Sequence, residues 1–330
     1  MMLDVVSAPR RTRLEFHDFG PDLGDFRTAL IRGLTAKTKS IPCRFLYDAR
    51  GSALFDQICE LPEYYPTRTE LGILRANAAE IAERAGPAAQ MIELGGVNSL
   101  KARILLDALD SPAAYIPIDI SREHLRASAA AIHAEKPGLE VLAVCADYTQ
   151  PLLLPEAPGG GMRLGFFPGS TIGNLQPDEA IVFLASWAER LGPGAAMVVG
   201  VDLRKDAAIL EPAYDDAQGV TAAFSKNLLA RANSELGADF ELDAFAHRAR
   251  YDAAHGRIEI HLESLRDQIV HVDGAGLSFR AGERIHTEDS YKYSLDGFRG
   301  IARAAGFRPA AVWTDPDQLF SVHWLETAAD

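Results

Sequence analysis

Cysteine is scarce in this 330-residue chain: Cys43, Cys59 and Cys145 stand far apart and are odd in number. They suggest neither a disulfide framework nor a zinc site, and they suit a reducing cytoplasm, the expected location. No apolar run reaches the roughly 20 residues that span a bilayer. The opening MMLDVVSAPRRTRLEF lacks the sustained apolar core of a secretion signal. Basic charge is in deficit, with 33 Lys and Arg against 46 Asp and Glu, a net charge of −13. That field repels polyanions, so neither nucleic acid nor a membrane is expected as a partner. The nine histidines show no H-x-x-x-H, H-E-x-x-H or H-x-H spacing, and no metal is expected. Ser170 sits in PGST rather than G-x-S-x-G, so a hydrolase triad has no support. Internal repeats and low-complexity tracts are missing as well.

What remains is an ordinary globular composition, 48% hydrophobic and 24% charged, in a chain long enough for one large or two ordinary domains. Residues 68–84 read as an amphipathic helix, with Leu71, Leu74, Ala78 and Ile81 on one face. An α/β rhythm follows: strand 91–94, helix 99–110, strand 114–119, helix 122–135 capped by Ser121, strand 139–146, strand 163–167, helix 177–191 and strand 196–202. Such alternation predicts a parallel sheet. The rhythm breaks after Leu203. Residues 206–236 read as helical, and 246–272 as strands turning at His255-Gly256. Another strand ends near Tyr293. A last helix and a terminal hairpin would complete a seven-stranded sheet, leaving about 205–292 as an insertion that joins the N-terminal segment in a second lobe.

Four segments could carry chemistry. In MIELGGVNSLK, residues 91–101, an apolar strand ends in Glu93 and turns at Gly95-Gly96; one βα unit later IPIDIS ends a strand in Asp119, and a third strand leads to Asp147-Tyr148. Acids at three successive strand ends suit a nucleoside, with Asp119 on the ribose hydroxyls and Asp147-Tyr148 at the base. A nicotinamide cofactor would ask for G-x-G-x-x-G, and Val97 stands at its second glycine. FFPGSTIGNL, residues 166–175, offers Gly169 backbone and the Asn174 amide, or is simply a connecting turn. In YYPTR, residues 64–68, one tyrosine could line a pocket, or both could pack. In HTEDSYKY, residues 286–293, strand alternation sets Glu288 and Ser290 on one face and Asp289 and Tyr291 on the other. A carboxylate beside a hydroxyl suits an imidazole-like group; for the segment alone, a solvated charged strand is the favoured reading.

Together these segments resemble the histidine Nα-methyltransferases of ergothioneine biosynthesis. The likeness runs from about residue 45 to the C-terminus through FLYDARGS, LPEYYPTRTE, ELGG…K, YIPIDIS, CADYT, FFPGSTIGN, AYDDAQGVTAAF, RIEIHL and TEDSYKYS. It implies a Rossmann-like class I methyltransferase sheet over 70–204 plus 293–330. It implies a second α+β substrate-recognition lobe over 15–69 plus 205–292. The reaction implied is trimethylation of the L-histidine α-amine by S-adenosylmethionine, giving hercynine, by a monomer. Carried over to this chain, Gly95, Gly96, Lys101, Asp119, Asp147 and Tyr148 would bind the cofactor. Asn174 and Tyr214 would hold the substrate carboxylate, and Gly169 would border it. Tyr65 and Tyr47 would lie by the α-amine, while Glu288, Ser290 and Ile260 would surround the imidazole. Two positions depart from the family pattern. The turn reads GGVNS rather than a glycine-richer G-S-G-S/T-S, which implies weaker or shifted cofactor binding. Ile260 replaces a common methionine, leaving open another amine substrate; an inactive cofactor-binding regulator is the other alternative.

Overall fold

The computed structural model describes residues 12–20, 25–95, 99–157 and 159–329. Strand β1 (Leu14–Asp18), helix α1 (Phe26–Thr35), the short β2 (Lys39–Ser40), α2 (Ala49–Glu60) and α3 (Tyr65–Ala85) come first. Then follow β3 (Gln90–Leu94), α4 (Ser99–Ala108), β4 (Ala114–Asp119), α5 (Arg122–Glu135), β5 (Glu140–Cys145), β6 (Arg163–Phe167), α6 (Pro177–Leu191) and β7 (Ala196–Asp202). Helices α7 (Ala207–Tyr214) and α8 (Val220–Leu236) lead to strands β8 (Phe245–Asp252), β9 (Arg257–Ser264), β10 (Gln268–Val272), β11 (Ala275–Phe279) and β12 (Arg284–Tyr291). Helix α9 (Leu295–Ala304) and the hairpin β13 (Arg308–Thr314) and β14 (Phe320–Glu326) close the chain.

The main sheet has the order β1-β5-β4-β3-β6-β7-β14-β13, with only β14 running against the rest. Seven of these strands form the expected Rossmann-like methyltransferase sheet. The eighth, β1, lies parallel along the β5 edge. Its sequence LEFHD is short and half-exposed, so it carries no periodic signal to read. The central strands QMIEL, AYIPID and AMVVGVD are buried throughout. They are apolar on both faces because helices cover both faces. Ile73, Leu74, Leu105, Leu125 and Ile132 pack on one side, and Phe183, Leu184, Trp187 and Phe298 on the other. Fully burying each such side chain contributes roughly 1.5–3 kcal/mol.

A second, four-stranded sheet runs β2-β12-β9-β8. In β9, RIEIHLES, every second residue is buried, so Ile258, Ile260 and Leu262 face a separate core with Phe45, Tyr65, Phe224 and Leu228. The expected helix over 206–236 is two helices. Asp216 breaks it by accepting the N–H groups of Gln218, Val220 and Thr221, which caps α8. Ser121 stands at the start of α5, but its hydroxyl makes no cap bond; Asp119 instead accepts the Ser121 N–H at 2.7 Å. The two sheets meet where β7 runs on: Tyr293 N–H donates to Asp202 O at 3.1 Å and Arg204 N–H to Tyr293 O at 3.0 Å. Among the described residues no helix is long and apolar enough to cross a membrane.

Candidate active site

Strands β3 and β6 are neighbours, and there the order of the main sheet reverses. Ligands of open α/β sheets bind beyond the carboxyl ends of the strands at this point. Gly95 turns the chain there at φ +78°, a conformation that favours glycine, and its N–H donates to Ile118 O at 2.9 Å. Asp119 is buried one strand away, and burial pushes its carboxyl up to about 6 against the Ser121 N–H bond. Asp147 accepts the Thr149 N–H at 2.9 Å and hydroxyl at 2.6 Å. The Tyr148 ring stands edge-on to Phe167 and Phe183, and a Cβ on Gly95 would lie 4.0 Å from it. Gly96, with Val97 and Asn98, lies outside the described residues.

The fully buried Glu70, inside α3, connects this corner to the rest. Lys101 Nζ donates to it at 2.6 Å, and Gly169 N–H donates to both its oxygens at 3.0 and 2.9 Å. The next residue, Ser170, accepts the Asp202 N–H on its Oγ at 2.9 Å. The loop then tightens into a 3-10 turn, Thr171–Asn174, that presents the Asn174 amide to Glu288. Gly173 lets this turn pass β12, since a Cβ there would stand 2.7 Å from Tyr291 O. We expect Gly173→Ala to cost about 1–3 kcal/mol. It should also weaken substrate affinity, checked by thermal melting beside a KM measurement.

Asp202 closes β7 at the centre of a buried network. It accepts the Tyr65 hydroxyl at 2.8 Å, Lys205 Nζ at 2.6 Å and Lys292 Nζ at 2.8 Å. Lys292 also donates to Tyr214 Oη at 2.6 Å and Ser290 Oγ at 2.8 Å, and those two hydroxyls lie 3.0 Å apart. Burial pushes the Asp202 carboxyl up, but Lys292 and Lys205 overcome it and hold the group below the usual carboxylate range. Burial and then Asp202 push the Tyr65 phenol far above its ordinary value. At the rim, burial raises the half-buried Glu288 to about 7, with Lys292, His286 and Asn174 pulling the other way. Ile260 pairs directly across from Glu288 in the antiparallel ladder and is 2% exposed. Tyr47 is half-buried against Phe55 and Phe224; burial and then Glu288 push its hydroxyl upward.

A family model described as a histidine-specific, S-adenosylmethionine-dependent methyltransferase matches residues 26–327. The chain belongs to this family. Histidine N-alpha-methyltransferase of Mycolicibacterium smegmatis is 48% identical over 86% of this chain and 89% of its own. Its namesake in Mycobacterium tuberculosis is 46% identical over 90% and 94%. Ergothioneine biosynthesis protein 1 of Neurospora crassa is 33% identical over 87% of this chain, which spans 33% of that larger protein.

For a histidine-specific methyltransferase the corner fits its cofactor by donor chemistry. Asp119 is a buried acid for hydroxyls, Lys101 a cation for a carboxylate, and Tyr148 an aromatic face beside the Gly95 turn. Glu70, Asp202, Lys205 and Lys292 do not emerge from reading the sequence alone. Signals existed for each but the loop lysine: Glu70 is a lone acid on the face of Leu74 and Ile81. Asp202 ends an apolar strand as Asp119 does, and Lys292 continues the Glu288–Ser290 alternation. Lys205 lies in a connection without period.

Proposed function

We propose that the protein transfers three methyl groups in succession from S-adenosylmethionine to the α-amine of L-histidine, giving hercynine for ergothioneine biosynthesis. The observation that carries this reading is Glu288: a half-buried carboxyl at about 7, beside the Asn174 amide, matches the proton affinity of an imidazole, roughly 6.5. Glu288 and Ser290 bind the imidazole, and Ile260 forms the apolar wall beside them. Asn174 and Tyr214 hold the substrate carboxylate at the edge made by Gly169. Tyr65 and Tyr47 face the α-amine, where oxygens and ring faces stabilise positive charge growing on nitrogen.

In the cofactor corner, Gly95 gives close backbone approach, and Asp119 accepts from the ribose hydroxyls. Asp147 and Tyr148 take the adenine, and Lys101 pairs with the methionine carboxylate. The cofactor, when bound, supplies an electrophilic methyl on sulfonium. The protein's task is then to hold a neutral amine in line with it, which is positioning. The division into a cofactor domain, 70–204 plus 293–330, and a histidine-recognition lobe, 15–69 plus 205–292, belongs to this proposal. So do a monomeric state and a cytoplasmic site of action. Assaying the twenty amino acids in parallel should give histidine an advantage of roughly 100-fold or more. Faster turnover of another amine would replace histidine as the substrate and point to the shape of Ile260.

A further inference from the structure

Each methyl transfer needs a lone pair on the α-nitrogen, which an α-ammonium lacks. Three transfers therefore release three protons from the site. Asp202 is a poor acceptor, because two lysines hold it ionised. Tyr65 holds its own proton too tightly to act as a phenolate. Lys292 is fully buried, and although burial lowers its proton affinity, Asp202 and Tyr214 bring the net shift upward.

Lys205 differs from all three. Its side chain is 7% exposed, whereas those of Asp202 and Lys292 are fully buried. Its Nζ lies 2.7 Å from Tyr65 Oη, 2.6 Å from Asp202 Oδ1 and 2.5 Å from Leu203 O. Three ammonium N–H bonds thus meet three oxygens. Removing one proton leaves two N–H bonds for Asp202 and Leu203 and turns the lone pair toward the Tyr65 hydroxyl. Resting on the reading that Tyr65 faces the α-amine, we propose that neutral Lys205 takes the proton of the substrate's α-ammonium through the Tyr65 hydroxyl.

In that step the Tyr65 O–H turns from Asp202 to the Lys205 lone pair, an N–H bond of the ammonium breaks as a new O–H bond forms on Tyr65, and the original Tyr65 proton moves to Lys205. The substrate is left as a neutral amine and Lys205 as an ammonium, which then loses its proton to water. The same exchange serves the mono- and dimethylated amines, each of which carries one fewer N–H. The groups facing Lys205 are Tyr65 from α3, Asp202 from β7, Lys292 beyond β12 and Asp315 from the β13–β14 turn. Burial lowers the lysine, Asp202 opposes, Lys292 adds to the lowering and Asp315 opposes, leaving it at about 8. A peptide's terminal α-amine lies at roughly 8 and a free amino acid's, beside its own carboxylate, somewhat higher, so the transfer is modestly uphill and is drawn on by the methyl transfer that follows.

The test is Lys205→Arg, which keeps the cation but cannot become neutral in the working range. We expect kcat to fall about 100-fold or more. Dissociation constants for histidine and S-adenosylhomocysteine by calorimetry should stay within about threefold of the parent, since positioning is kept. We expect the parent's kcat to rise with pH to a plateau above about 8, and the variant's to rise continuously with hydroxide. Lys205→Ala should be rescued by added methylamine in proportion to its free-base concentration, and this decides the matter if the arginine variant binds poorly. A parental rate and pH profile in Lys205→Arg, or no rescue of Lys205→Ala, overturns the proposal while leaving the histidine reading intact. A parent enzyme that does not methylate histidine overturns both.

Discussion

Asp202→Ala lowers stability by about 3–5 kcal/mol and abolishes methyl transfer. The size follows from what is left behind. Lys292 is 0% exposed and loses the carboxylate it pairs with, and Lys205 is 7% exposed and loses the same one. Two buried cations are then left with only neutral partners, the Tyr214, Ser290 and Tyr65 hydroxyls and the Leu203 carbonyl, at short range. One ammonium must give up its proton or the site must open to water. The loss should appear as a fall in melting temperature of about 6–20 °C. Tyr65 also loses its acceptor, so the hydroxyl that we propose faces the α-amine is no longer aimed. A double variant, Asp202→Leu with Lys292→Met, should recover much of the stability and none of the activity, since apolar replacement of a buried ion pair is often neutral. A melting shift of less than about 3 °C for Asp202→Ala would mean the network is not buried in solution.

Glu288→Gln should weaken histidine binding roughly 10- to 100-fold, the usual cost of a lost charge-assisted hydrogen bond. It should also stabilise the protein, but only on the alkaline side. Burial raises the Glu288 pKa to about 7, above an unfolded value near 4.5. The native state therefore holds this proton more tightly than the unfolded state. The stability it confers is complete below about pH 4.5 and is lost as pH rises through about 7. Glutamine removes that dependence, so at pH 8 the variant should gain on the order of 1–2 kcal/mol after allowance for solvent at the rim, and nothing at pH 4. Histidine affinity has the complementary profile. Carboxyl and imidazole together want one proton, so parental binding peaks near neutrality and the glutamine variant loses the peak. Calorimetric titration with histidine from pH 5 to 9 reads both effects; an unchanged affinity would remove Glu288 from the imidazole.

Much of this site could be read from residues alone because its elements are local. Asp119 ends a buried apolar strand, and Glu288 and Ser290 alternate on one strand, so short spacings set their faces; Glu93, one residue before the end of β3, is instead buried against the Tyr115 hydroxyl. The network around Asp202 could not be read that way. Its members come from α3, β7, the loop after it, α7 and β12, and pair across as many as 140 residues of sequence. No local period announces that Asp202 meets Lys292; the β7 extension beside Tyr293 does so only in three dimensions. Strand β1 escaped for the opposite reason, being too short and too exposed to show alternation. The division of 206–236 at Asp216 was hidden because a capping carboxylate inside a helix-like stretch looks like any acid on a solvent face. The turn at Gly96, Val97 and Asn98 remains a sequence expectation, and Gly95 alone supplies the positive-φ corner described beside Tyr148.

The most direct measurement is mass spectrometry of L-histidine incubated with the protein and S-adenosylmethionine labelled in its methyl group. Histidine should gain three labelled methyls, all on the α-nitrogen, with the imidazole unlabelled. Label on the imidazole, or histidine returned without label while the protein still binds S-adenosylhomocysteine, would contradict the assignment of Tyr65 to the amine and Glu288 to the ring.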